Sequence, residues 1–288
     1  EEQTSLVNNF DAFINYFLDS KLDWHIGVTS TDMTPGDIPG NHGTLNMIGD
    51  LKFIDENTPN PVQVFSQLAS MGTAGSGIEE GVTATYGAIA VHDGCEHNKG
   101  FYREDATLSV VVISDEEDYS TDPTLNEFIS WLQALKADSD DVSFSSIVCL
   151  SQTPLNGIPC NSPWGYPDVG ARYITVTNAI GGILWDIREP DWQPVLSQLG
   201  LQAAGLKSEF FLTDLPVPST LDVYIEISND PGPGETIYNF KQDQDYVYSR
   251  VRNSITFFTY VPPQHSKVIV EYTLLETYIY NVSDSDIL

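Results

Sequence analysis

Apolar positions along the chain change period several times, and the changes mark its elements. Leu6, Phe10, Phe13, Ile14, Phe17 and Leu18 recur at helical spacing with Asn and Asp between them, which predicts an amphipathic helix over residues 4–20. Residues 22–30, Leu-Asp-Trp-His-Ile-Gly-Val-Thr-Ser, read as a strand. A Gly-, Pro- and Asn-rich loop follows to residue 49, then a short strand at 51–54. Pro61 suits a first helical position and opens a helix over 61–71. The small-residue turn Gly72-Thr-Ala-Gly-Ser-Gly77 leads into a helix over 78–91. The next run, Leu108-Ser-Val-Val-Val-Ile113, is mostly β-branched and has no polar face, so the strand at 107–114 is expected to be buried on both sides. Beyond it come a helix at 125–136, a strand at 142–150, a long loop, a helix at 171–180, a short strand at 183–186 and a helix at 192–206.

Strands alternating with crossover helices predict an α/β fold over residues 1–207, a doubly wound, mostly parallel sheet flanked by helices. The pattern shifts after that. Segments 209–213, 221–227, 246–251, 254–260 and 267–274 are β-rich and aromatic, separated by Pro, Gly and Asn turns. Residues 208–288 therefore read as a smaller antiparallel all-β module or sheet extension. Its tyrosines and phenylalanines at strand spacing are read as core before interface.

Composition narrows the setting. The 288 residues are 41% hydrophobic, enough for a packed core. No apolar run approaches the roughly 20 residues of a membrane span, and the first residues do not resemble a signal peptide. A formal charge of -29 with only 12 Lys plus Arg argues against nucleic acid or anionic membrane as a partner. It suits a secreted or cell-surface protein in a salty medium that screens self-repulsion. Of three cysteines, Cys149 and Cys160 bracket a short Pro/Gly/Asn-rich loop and are expected to close it as a disulfide; Cys95 is left over. The cluster His92-Asp-Gly-Cys-Glu-His97 matches no standard zinc spacing.

The chemistry-bearing stretch is Ser114-Asp-Glu-Glu-Asp-Tyr-Ser120, directly after the buried strand. Ligands of open α/β sheets bind outside the carboxyl ends of the strands. Hard cations take oxygen ligands, so an acidic strand end reads either as a cation site or as a solvated loop. Enzyme readings fit poorly. No Gly-x-Ser-x-Gly elbow exists, and residues 72–77 lack the lysine of a phosphate-binding loop. Asp115 to Asp118 are too close in sequence to straddle a sugar by themselves.

Three stretches carry a resemblance: Gly27-Val-Thr-Ser-Thr-Asp32, Gly72-Thr-Ala-Gly-Ser-Gly-Ile-Glu-Glu-Gly81, and Phe101-Tyr-Arg-Glu-Asp-Ala106 leading to Val111-Val-Ile-Ser-Asp-Glu-Glu-Asp-Tyr-Ser120. Together they resemble a bacterial secreted von Willebrand factor A (VWA) domain. The resemblance implies a metal-ion-dependent adhesion site (MIDAS), in which Mg²⁺ or Ca²⁺ captures an acidic group of a protein or glycan ligand at the cell surface. It implies Asp115 as a metal ligand, with Thr73 or Ser76 as a second. Asp32, Glu116 and Asp118 stand at the periphery, where the acids after Asp115 are read as solvated and Asp32 as a loop cap. The family's first strand and its Asp-x-Ser-x-Ser motif have no match, which makes the cation conditional on that motif. A strand supplied in trans, or self-assembly, is one expectation for that position. The alternative function is a structural subunit of a surface fibre, appendage or layer, with a vestigial or absent metal site.

Overall fold

The computed structural model describes residues 2–18, 22–34, 42–72, 75–91, 97–160, 167–204, 209–227, 236–250, 253–257 and 267–275. The chain forms two compact units, Glu1–Gly205 and Leu206–Leu288. The first is mixed α/β. In chain order it contains α1 (Glu2–Leu18), β1 (His25–Gly27), β2 (Phe53–Asp55), α2 (Pro61–Ala69), α3 (Gly81–Tyr86) running into a π turn at Gly87–Val91, β3 (Leu108–Ile113), α4 (Leu125–Ala134), β4 (Val142–Val148), α5 (Ala171–Ile180), β5 (Leu184–Asp186) and α6 (Gln193–Ala203).

The strands β3, β4 and β5 form a parallel sheet in that order, whereas β1 and β2 form a separate antiparallel pair. Side chains of β3 alternate between two covered faces, as a continuous apolar run requires. Val110 and Val112 pack with Val82, Phe128, Phe144 and Tyr173 beneath α3, α4 and α5. Val111 and Ile113 pack with Phe13, Ile147, Leu196 and Leu199 beneath α1 and α6. Two helix starts show clear sequence causes. Pro61 opens α2, and Thr124 with Glu127 forms a reciprocal capping box on α4. Helices α1 and α6 cross closely because Gly200 has no side chain; a Cβ there would land on the Phe13 carbonyl.

Some elements are shorter than the sequence pattern suggests. The expected strand over 22–30 reduces to His25–Gly27, because among the described residues the ladder with β2 covers just these three positions. The helix expected from residue 78 starts at Gly81, because the residues ahead of it give their backbone groups elsewhere: Glu80 N–H donates to the Thr31 carbonyl, and the Glu79 carbonyl accepts from Tyr119 N–H.

The second unit holds two three-stranded antiparallel sheets. One has the order β6 (Glu209–Phe211), β10 (Ser254–Phe257), β9 (Tyr246–Ser249); the other has β11 (Lys267–Glu271), β7 (Asp222–Ile227), β8 (Thr236–Phe240). Val223, Ile225, Tyr246, Ile255 and Phe257 make its core. Strand β8 follows directly on the turn residues 229–234, whose Pro and Gly obscure its short alternation in the sequence.

Candidate functional site

Residues 75–80 tie the carboxyl ends of β1 and β3 together. Ser76 N–H donates to Asp32 Oδ2 at 2.9 Å, Glu80 N–H bonds the Thr31 carbonyl at 2.8 Å, and Tyr119 N–H bonds the Glu79 carbonyl at 2.7 Å. The start of α1 lies here as well, since the Gln3 side-chain amide both donates to and accepts from the backbone of Gly72.

Four acids gather at this strand end. Asp32 is buried, and its carboxylate accepts from the Thr34 backbone and hydroxyl and from Ser76 N–H. Burial works to raise its pKa, but the bonds from Thr34 and Ser76 prevail and hold it low. Glu79, hydrogen-bonded by the Thr31 hydroxyl, is pushed up to about 7, first by burial and then by Glu116, Asp115 and Asp32. Asp115 is raised by desolvation and next by the carboxylate of Glu2. Glu116 is raised by desolvation, Asp115 and Asp168. Among the described residues no other side chain donates to the carboxylates of Asp115 or Glu116. They are poised to take a proton or a cation.

The next two acids do something different. Glu117 accepts from Ala171 N–H and Arg172 N–H, each at 3.0 Å, and so caps the start of α5. Asp118, only 1% exposed, accepts from Val82 N–H at the start of α3, from the Ser120 hydroxyl and from Arg172 Nε at 2.8 Å. These two are not the solvated acids expected from sequence; they anchor two helix starts, where free N–H groups need acceptors. The Ser76 hydroxyl accepts from Ile78 N–H and closes a local turn. Thr73 lies outside the described residues, as do Cys95 and most of the His92–His97 cluster. Glu79 was not singled out in the sequence. Its only signal there is position, an acid two residues before a glycine that starts a helix.

A cation fits this site in part. Asp115 and Glu116 offer unclaimed oxygens in mutual repulsion, but among the described residues no three His, Cys, Asp or Glu side chains converge to enclose an ion. Beside the acids a cleft of about 630 Å³ is lined by Glu117, Tyr119, Ser151, Gln152 and Asp168, with Tyr119 exposed. Its far wall is steadied by the bonded pair Cys149–Cys160, whose Cα atoms are 6.2 Å apart. Arg188, paired with Asp186, holds the same loop through the carbonyls of Thr153 and Ile158. Among the described residues no helix is long and apolar enough to cross a membrane. No family model matches the chain, and no curated protein or solved structure is found similar to it.

Proposed function

We propose that the protein is a secreted or cell-surface binding protein of VWA-like, doubly wound fold that captures an acidic group on a protein or glycan partner through a divalent cation. The observation that carries this reading is the gathering of Asp32, Glu79, Asp115 and Glu116 at one strand end, where, beyond burial, Glu116, Asp115 and Asp32 raise the proton affinity of Glu79 and Asp115 raises that of Glu116. Such a cluster gains most from a hard cation with oxygen ligands. Asp115 would hold the ion, with the Ser76 or Thr73 hydroxyl as a neutral second ligand. A bound cation would supply a positive centre with a position open to a partner carboxylate. Glu79 and Asp32 brace the loop that presents Ser76.

Thermal unfolding in Mg²⁺ or Ca²⁺ against chelator tests this. Binding at 100 times Kd stabilises by about 2.7 kcal/mol. The midpoint is expected to rise with the metal in the native protein and to stay put in Asp115→Ala. Equal midpoints in both would remove the metal from the reading. The second reading is a structural surface subunit with a vestigial or absent metal site. Filaments in negative-stain images would support that one.

A further inference from the structure

The cleft beside the acidic strand end is built from parts fixed before anything enters it. One wall is residues 117–119. Asp118 is buried and bonded to Val82 N–H and Arg172; Ser120 is buried, donating to Asp118 and accepting from Thr83 N–H. Tyr119 between them is therefore turned outward and is 52% exposed, while its N–H is held by the Glu79 carbonyl. The opposite wall belongs to the loop after β4. The Cys149–Cys160 bond closes that loop, Arg188 holds the Thr153 and Ile158 carbonyls, and Leu155 and Ile158 exchange backbone bonds. Residues 168–170 join the two walls, since Asp168 N–H bonds the Asp115 carbonyl at 2.7 Å and Gly170 N–H bonds the Cys149 carbonyl. At about 630 Å³ the cleft falls within the usual range of ligand sites. Pinned walls lose little freedom when a ligand enters.

The lining of this cleft carries one sign of charge. Glu117 and Asp168 both contribute to it, and none of the described lining residues is basic. Arg172, just beyond Ala171, turns its guanidinium to the Asp118 carboxylate and the Ser120 carbonyl instead. The field of Asp168 reaches its surroundings, because Glu116 is raised first by burial and then by Asp115 and Asp168. A negative potential thus meets an exposed aromatic ring, whose π face itself attracts cations. Ser151 and Gln152 add neutral polar groups on the other side.

We propose that this cleft seats a guanidinium, the side chain of an arginine on a protein partner, with the Tyr119 ring as its stacking surface and the Asp168 carboxylate as its counter-charge. A guanidinium suits the site better than an ammonium. It is planar, stacks on aromatic rings, gives up its water more readily and offers a fork of donors to a carboxylate. A neutral sugar could also lie on the tyrosine, but it would gain nothing from the charge of the lining. The formal charge of -29 adds long-range attraction for a basic partner. No metal ion is needed at this cleft, so the proposal stands or falls separately from the cation reading.

Titration of N-acetylarginine amide into the 288-residue chain, followed by NMR at low ionic strength with EDTA present, tests the assignment. The amide signals of Tyr119, Gln152 and Val169 should shift and saturate. N-acetyllysine amide should bind more weakly, and the citrulline analogue, which has the same shape without the charge, should not saturate. Tyr119→Ala should weaken binding by about two- to fivefold, and Asp168→Asn by a similar factor. Tyr119→Phe keeps the ring and should retain binding. Thermal midpoints of the three variants should match that of the native protein, which separates lost binding from lost folding. Citrulline binding as well as arginine would overturn the proposal and make the cleft a site for neutral polar ligands. Lysine binding as well as arginine would overturn the guanidinium. Undiminished binding in Tyr119→Ala, or shifts that spread over the surface without saturating, would overturn the site and leave only general attraction to a negative chain.

Discussion

At the residue scale, neighbouring acids have opposite roles. Asp118 is locked to Arg172 and to the start of α3. Asp118→Ala should lower the unfolding free energy by about 1–3 kcal/mol, because it leaves the buried donors Val82 N–H and Ser120 Oγ without their acceptor, measured by urea denaturation. Asp115, three positions earlier, stands among like charges. Asp115→Asn should change stability by no more than about 0.5 kcal/mol, in the stabilising direction when no divalent cation is present. A loss as large as that of Asp118→Ala would make Asp115 structural. Glu79 adds a pH signature. Its folded pKa of about 7 lies above the ordinary 4.5. Its contribution is therefore complete below pH 4.5 and is lost as pH rises through 7. The native protein should gain on the order of 1–2 kcal/mol between pH 8 and pH 5.5, allowing for solvent screening. Glu79→Gln keeps an acceptor for Thr31 and should flatten that slope. An unchanged slope would place the titration elsewhere in the cluster.

At the element scale, close packing is set by a few backbone approaches. Gly200→Ala should push α1 from α6 and destabilise by about 1–3 kcal/mol, read as a lower thermal midpoint; a neutral result would mean that the crossing yields freely. Elements defined by local pattern were legible in the sequence. The amphipathic period around Phe10, Phe13 and Phe17 marks α1, and the run at 108–113, apolar but for Ser109, marks a strand covered on both faces. Elements defined by pairing were not. Residues 22–24 and 28–30 have strand-like composition without a ladder, and residues 78–80 have helical composition but bond to two strand ends. Distinctions within the acidic stretch were equally hidden. Glu117 and Asp118 are separated from Asp115 and Glu116 by what meets them, the starts of α5 and α3 and the Arg172 side chain, and all of these are distant in sequence.

At the scale of the whole molecule, the charge of -29 works against compactness at any pH where the acids are ionised. The 12 Lys and Arg are already counted in that figure, and Arg103, Arg172 and Arg188 each sit beside a single acid, Asp23, Asp118 and Asp186. Dissolved cations must supply the rest, and they can act in two ways that a single experiment separates. Screening depends on ionic strength and is indifferent to the ion, with a Debye length falling from about 30 Å at 0.01 M to about 10 Å at 0.1 M. Raising NaCl over that range should therefore raise the thermal midpoint. Occupation of a site depends on the ion itself. At matched ionic strength, MgCl₂ or CaCl₂ should raise the midpoint further than NaCl, and the excess should vanish in Asp115→Ala while the NaCl response survives. Coincident curves for the three salts would assign the whole effect to screening, leaving the acidic strand end as one more part of a strongly negative surface.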